Sequence, residues 1–570
     1  MNATKNIKTM TVQELESFGD ELAMHLVNES IYDVETVMQN LNVLEIVLGL
    51  HHLFDMSETK IFFDQNNQSV VHQLLSSKGD NVPMDWDMGG ALGRALTYAK
   101  VQGGLHFVII NDYALNQGST YEALLEIRRH MPNLVIIMLD EQESLLRHYT
   151  SLDALIKNIR ISKTYSSFKS DLREALDHPV SRPLLGTLSW LKDQVKETVL
   201  EPSIFTHFGL DYHGPIDGQN LQEVIQVLSL SQKFEGPHVI HVQTRIKSKQ
   251  KRKLEFPRFK LDMDRPKGYF TYLEHLDHYL LQHAPTELYV LSDGLSMSEH
   301  LIHFAQQRPR HYLTVNGSIH AMVDMAKGLT LEKHPVLILV SAKRFSEVAL
   351  QMKKYFFKEE ISVMIIVYEA GLARHDRLVH NAVHDMVSYL YFDEKKVWMP
   401  RNVSDMYGIL NYHIKEKQAL SIMRLPQILA QKQALNQEFK PSWEMVLDNE
   451  NTEGVILTFG PSVEQMYQKI KINKMPYSLI DTKTFNYVDE ELFEKISEKG
   501  VPVLTYNVEG DYDILTQKMK EKMQETGQNF PLLTMNLAGV DYDLQSKELK
   551  NSAQIHIEDA LRALKEATEC

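Results

Sequence analysis

Late in the chain three histidines and two aspartates fall close together: His375, Asp376, His380, His384 and Asp385, in the run HDRLVHNAVHD. His380 and His384 stand at i and i+4, the spacing that places two imidazoles on one face of a helix, where zinc is often held. A zincin pattern also needs a Glu beside the first His as base, and Asn381 follows here instead. A solvated or capped helix face is therefore expected over a metal site. The pair His51-His52 points to two faces of one helix, which suits packing better than ligation. From Phe208 to Gly218 the chain reads FGLDYHGPIDG. This has the content of a turn: Pro215 fixes φ, and Gly218 can supply positive φ beside Asp217, whose carboxylate can bond its own backbone. A basic run, KSKQKRK, lies in the structure-poor stretch Lys247 to Pro266. It reads as a solvated linker, with a surface that meets an anionic ligand as the sharper alternative.

These residues need a frame. Apolar positions recur at helical spacing through LNVLEIVLGLHHLF, within a helical region from about residue 10 to 60. Leu105 to Ile110 and Leu134 to Leu139 are continuously apolar, as a strand buried on both faces must be, and Thr120 to His130 reads as the crossover helix between them. A further strand is expected at Val239 to Gln243. A second block offers strands at Leu288 to Leu291, Tyr312 to Val315, Val336 to Val340 and Val363 to Val367. After a Gln-rich passage, Gln427 to Lys440, read as a linker, a third block offers Val455 to Phe459, Tyr477 to Ile480, Val501 to Tyr506 and Leu532 to Thr534, then a helix from about Ile557 to Thr568. Strands alternating with helices predict an α/β protein of three domains, each a mostly parallel sheet with helices on both faces. The expected boundaries are 1–246, a linker 247–266, 267–426, a linker 427–440, and 441–570.

Composition narrows the function classes. The net charge of −15 gives no basic face for nucleic acid or an anionic membrane. The single cysteine, Cys570, excludes an intrachain disulfide or a cysteine-based zinc site, which suits a reducing compartment. The start, MNATKNIKTM, has no apolar core of a secretory signal, and no apolar run approaches the ~20 residues of a membrane span. A cytoplasmic location is expected.

The run FGLDYHGPIDG, with Gly209, Tyr212, Gly214-Pro215 and Asp217-Gly218 in order, resembles the corresponding segment of 1-deoxy-D-xylulose-5-phosphate synthases. Leu41 to His51, GLARHDRLVHNAVHD from Gly371 to Asp385, Arg424-Leu425-Pro426, Gly454 to Gly460 and Pro502 to Tyr506 extend the resemblance through the chain in the same domain order. The resemblance implies a pyrophosphate-binding first domain, a pyrimidine-binding second domain and a transketolase-type C-terminal domain. It also implies a homodimer, thiamine diphosphate with Mg²⁺, and decarboxylation of pyruvate followed by carboligation to glyceraldehyde 3-phosphate.

Carried over residue by residue, the resemblance departs from the family at most working positions. The metal-binding carboxylate is Asp112, but the glycines that flank it in the family are absent, and Tyr113 puts a phenol where the backbone should be bare to approach phosphate. The metal-binding Asn becomes Glu141, able to ligate a metal but adding negative charge beside a diphosphate. The glutamate that drives the aminopyrimidine tautomer becomes Ser318, which has no ionisable acceptor at neutral pH. The pyrimidine-stacking aromatic becomes Ile365, and histidines of the first domain become Thr36, Asn66 and Pro83. An Arg for substrate phosphate becomes Glu369, a reversal of sign, and a second Arg becomes Gln427. Asp112, His320, Asp376, His380 and Arg424 match: His320, Asp376 and His380 in catalytic positions, Arg424 in a substrate position. The losses affect metal, cofactor activation and substrate together. They predict a degenerate synthase with a binding, regulatory or structural role. The alternatives are an active thiamine-diphosphate transferase that recruits Glu369 or Glu141, and unrelated chemistry on a small-molecule ligand in a remodelled cleft.

Overall fold

The computed structural model describes residues 7–28, 34–64, 68–76, 90–130, 132–140, 205, 208–233, 236–244, 267–293, 301–315, 318–357, 362–372, 382–393, 396–415, 420–433, 439–537 and 555–569. The chain forms two compact units, residues 1–261 and 262–570. The stretch 247–266, read as a linker, lies outside the described residues up to position 266.

The first unit holds a five-stranded sheet made of β1 (Ile61–Phe63), β2 (His106–Asn111), β3 (Leu134–Asp140), β4 (Asp211–Asp217) and β5 (His238–Gln243), in the order β1-β2-β3-β5-β4. All its pairs are parallel. Every residue of β2 and β3 is buried, as their unbroken apolar runs require. The crossover helix between them spans Gly118–His130. The first helical region resolves into helices Val12–Asn28 and Val34–Leu53.

The FGLDYHGPIDG run departs from its expected form. Most of it is β4, paired with β5, and the register slips between His213 and Ile216, where the Gly214–Pro215 peptide is cis. Pro is tolerated there because β4 is an edge strand with a bulge. The positive φ belongs to Gly209 and Gly214, not to Gly218. At Gly214 a Cβ would meet the His241 carbonyl at 2.5 Å, so only Gly fits. The turn itself comes one step later, where the Gln219 N–H donates to Asp217 Oδ1 at 3.1 Å, as an Asp at a turn was expected to accept.

The second unit holds two large sheets. One is six-stranded and parallel throughout: β7 (Tyr289–Ser292), β8 (Tyr312–Thr314), β9 (Val336–Ser341), β10 (Val363–Ala370), β11 (Val397–Trp398) and β12 (Leu420–Pro426), in the order β11-β12-β10-β9-β7-β8. The other contains β14 (Glu444–Leu447), β15 (Gly454–Thr458), β16 (Tyr477–Asp481), β17 (Val503–Asn507) and β18 (Leu532–Asn536), ordered β14-β16-β15-β17-β18, with β14 antiparallel at the edge. The passage 427–440, expected as a plain linker, contains a strand: β13 (Leu429–Gln431) pairs antiparallel with β6 (Tyr269–Thr271).

β10 shows how the sequence makes a central strand. Met364, Ile366 and Tyr368 enter one core, whereas Val363, Ile365 and Val367 enter another. The second of these cores runs on without a break to Trp443, Phe459 and Phe485 around the last sheet. Each such side chain, fully buried, contributes about 1.5–3 kcal/mol relative to exposure. The chain is thus a mixed α/β protein with mostly parallel sheets flanked by helices.

Candidate functional site

At the carboxyl end of β2 the chain does not open into a glycine turn. Asn111 is fully buried, and Asp112 starts a short 3₁₀ turn to Asn116. The Tyr113 N–H donates to Asp112 Oδ1 at 2.9 Å, so this carboxylate oxygen caps its own turn. A chain of amides runs behind it: Gln68 Nε2 donates to Gln39 Oε1 at 3.1 Å and to Asn111 Oδ1 at 2.7 Å, and Asn111 Nδ2 donates to the Tyr113 phenol at 2.8 Å. The phenol is therefore held in place from within. Thr36 is buried, and its carbonyl accepts the Asn40 side chain at 2.8 Å. Glu141, Asn66 and Pro83 lie outside the described residues.

The next strand end carries a polar group that sequence reasoning missed. His241 of β5, fully buried, is bonded through one ring nitrogen to the Tyr212 phenol and through the other to Asp140 Oδ2 at 3.0 Å. The His amid the apolar residues of HVIHVQ was the available signal, but its partner Asp140 lies far away in sequence. Two other histidines here are packing residues. Burial pushes His213 down to about 3, and it lies edge-on to His238. His51 bonds His72 at 2.7 Å, is likewise pushed down to about 3 by burial, and fits the packing role expected of it.

In the six-stranded sheet the corresponding ends are those of β7, β9 and β10. Asp293, just past β7 and fully buried, accepts the Tyr368 hydroxyl at 2.7 Å and the Ser341 N–H at 3.2 Å. Ser318 precedes the helix Ile319–Leu331, and its hydroxyl does not cap that helix. His320 is exposed on it and bonds Gln351 Oε1 at 2.8 Å. Ile365 is wholly inside the sheet core. Glu369 has φ 54°, in the left-handed region, and its carbonyl accepts Gln427 Nε2. Thus Glu369 and Gln427, the two positions where the resemblance expected arginines, bond each other through backbone and side chain.

Arg424 of β12 is fully buried and committed internally. Nε and Nη2 donate to Asp385 at 2.8 and 2.9 Å, and Nη2 also reaches the Glu509 carbonyl at 2.7 Å and the Ala382 carbonyl at 3.3 Å. Burial opposes its charge, but Asp385 more than offsets this and holds its pKa up. Asp385 Oδ2 also accepts the Tyr389 hydroxyl at 2.7 Å. Nearby, Gly371 and Ala382 exchange two backbone bonds, and a Cβ at Gly371 would meet Glu509 Oε2 at 2.8 Å. Asp376 and His380 lie outside the described residues. His384 sits in a turn before the 3₁₀ segment Met386–Tyr391, not on a helix face, and its Nδ1 bonds Asp511 at 2.7 Å, which raises its pKa. Among the described residues no three His, Cys, Asp or Glu side chains are placed to hold a metal ion, and no helix is long and apolar enough to cross a membrane.

The family described as 1-deoxy-D-xylulose-5-phosphate synthase matches residues 1–95 and 87–244. The 1-deoxy-D-xylulose-5-phosphate synthase of Bacillus velezensis is 22% identical over 88% of this chain and 86% of its own length. That of Clostridium perfringens is 25% identical over 88% of each chain. Among solved structures, transketolase from Leishmania mexicana is similar with a TM-score of 0.42 at 11% identity, covering 97% of each chain.

Proposed function

We propose that this chain, similar to 1-deoxy-D-xylulose-5-phosphate synthases, lacks the synthase reaction and serves as a binding, regulatory or structural homodimer in the cytoplasm. The closed end of β2 carries this reading. Magnesium diphosphate needs hard oxygens in octahedral array and a backbone that can come close to phosphate. Asp112 instead has an oxygen on its own turn, and the Tyr113 phenol, braced by Asn111 and Gln68, occupies the space a glycine would leave. These residues do not fit the Mg²⁺–thiamine diphosphate that the resemblance implies.

Three further positions support the reading. Ser318 offers no ionisable group to an aminopyrimidine. Arg424, the one matching phosphate-binding cation, is spent on Asp385 and the Glu509 carbonyl, while Glu369 places negative charge where a phosphate would need positive. The chemistry left to these residues is hydrogen bonding and positioning.

Calorimetric titration with thiamine diphosphate and Mg²⁺, followed by an assay of pyruvate decarboxylation, tests the proposal. No binding heat and no turnover are expected. Micromolar binding with turnover would establish the other reading, an active thiamine-diphosphate transferase condensing pyruvate with glyceraldehyde 3-phosphate or a related aldehyde. A variant combining Tyr113→Gly, Glu141→Asn and Ser318→Glu should gain cofactor binding. If it gains none, these three positions are not what closes the site.

A further inference from the structure

A second arginine of the second unit stands in an unbalanced field. Arg401 lies between β11 and the helix Val403–Lys415, and its guanidinium faces Asp405 at 3.3 Å, Glu444 at 3.3 Å, Asp481 at 3.6 Å and Glu464 at 3.9 Å. Lys483 adds a second cation, 2.9 Å from Glu444, and its Nζ also reaches the Lys440 carbonyl. Four carboxylates against two cations leave two negative charges in excess when all are ionised. Glu444 and Glu464 are more than a third exposed, whereas Asp405 and Asp481 are buried. The buried phenol of Tyr272 also faces this cluster and brings no charge to balance it.

Asp481 is the extreme member. Its Oδ1 accepts the Lys483 N–H at 2.8 Å, whereas Oδ2 is buried and receives no hydrogen bond. Arg401 Nη1, at 3.6 Å, is beyond hydrogen-bonding range. A bare carboxylate oxygen in such a place is strongly disfavoured, and a neutral carboxyl much less so. The cluster also sits on a joint. The Met399 N–H donates to the Lys483 carbonyl at 2.9 Å, and Asn402 Nδ2 donates to Glu464 at 3.0 Å, so both backbone and side chains tie the six-stranded sheet to the last sheet here.

We propose that Asp481 carries a proton when this joint is closed, with Asp405 competing for it across the Arg401 guanidinium, and that losing the proton loosens the contact between residues 397–405 and 477–486. Burial first, then the Asp405 charge, pushes the Asp481 carboxyl up to about 7, and burial raises Asp405 as well. The sign follows. A carboxyl raised in the folded state keeps its proton where the unfolded chain has lost it, so the joint weakens as pH rises from the ordinary carboxylate range to about 7 and changes little beyond.

Hydrogen exchange on the full chain, corrected for intrinsic rates, tests this in peptides covering 397–405 and 477–486. Their opening is expected to be about tenfold more frequent at pH 8 than at pH 6. Asp481→Asn should exchange slowly at both pH values. No pH dependence in the unmutated protein, or the same dependence in Asp481→Asn, overturns the proposal. Should that variant fail to fold, Asp405→Asn removes the competing charge and must move the midpoint to lower pH, and an unmoved midpoint also overturns it. His384 titrates at the same joint but reports in peptides 382–386 and 509–511, which keeps the two apart.

Discussion

Arg424 and Arg401 both reach from the six-stranded sheet to the last sheet, but their surroundings are opposite. Arg424 meets Asp385 in a bidentate pair, with backbone carbonyls of Ala382 and Glu509 taking further donors. Its guanidinium is held by Asp385, with Glu509 Oε2 3.8 Å from Nη1 as a second carboxylate, and its geometry is fixed. Arg401 meets four carboxylates, none in a bidentate pair within the fully dry interior, and one of them keeps an oxygen without a donor. The first arrangement makes a rigid strut. The second can exchange a proton with solvent, because a buried excess of carboxylates is relieved most cheaply by protonation.

Breaking the strut should have the largest effect. Arg424→Met leaves Asp385 buried without its cation, and a loss of about 3–5 kcal/mol in urea denaturation at pH 8 is expected. Replacing Arg424 and Asp385 together with apolar residues should recover part of that loss, since Asp385 is then no longer a buried charge without its cation. If the single variant costs less than about 1 kcal/mol, Arg424 is not the strut described here.

Arg401→Met should cost less and in a different way. Its neighbours can take up protons, so the loss is expected to be about 1–2 kcal/mol at pH 8 and to shrink toward pH 5. A cost at pH 8 as large as that of Arg424→Met would erase the distinction. The smallest effect belongs to His384. Asp511 raises its pKa, so the pair stabilises below the ordinary histidine range and is lost as pH rises through the raised value. Because the His384 side chain is 61% exposed, solvent screening limits the pair to about 0.3 kcal/mol, and His384→Gln should remove that much at pH 6 and nothing at pH 8.5.

The same contrast explains what could be read from the sequence. The strands β2, β3, β9, β10, β15, β16 and β17 were legible because each buries both faces and so carries an unbroken apolar run. β4 was not, because DYHGPID holds Gly and Pro and alternates in exposure, which reads as a turn until the neighbouring β5 is known. β12 was hidden by Arg424 in its own run, since an arginine in LSIMRLP looks like a site residue unless Asp385 is known to neutralise it. β14, short and only half-buried, and the β6–β13 ribbon are antiparallel exceptions that alternation of strands and helices does not signal. At the candidate site the side-chain types were legible, Tyr113, Ser318 and Glu369 above all. Which partners they would take was not. The Gln68–Asn111–Tyr113 chain, Tyr368 on Asp293 and Gln427 on the Glu369 carbonyl join residues whose proximity depends on the folded sheet.

The ribbon formed by β6 and β13 has a consequence of its own. Phe270 lies opposite Ala430, so the chain enters the six-stranded region and leaves it at one place. Between those two points the polypeptide forms a closed circuit. A circuit of that kind can be opened elsewhere, which makes this region suited to circular permutation: a short peptide joining the entry to the exit, with new termini at an exposed turn such as Arg308–Arg310, preserves every strand of the sheet.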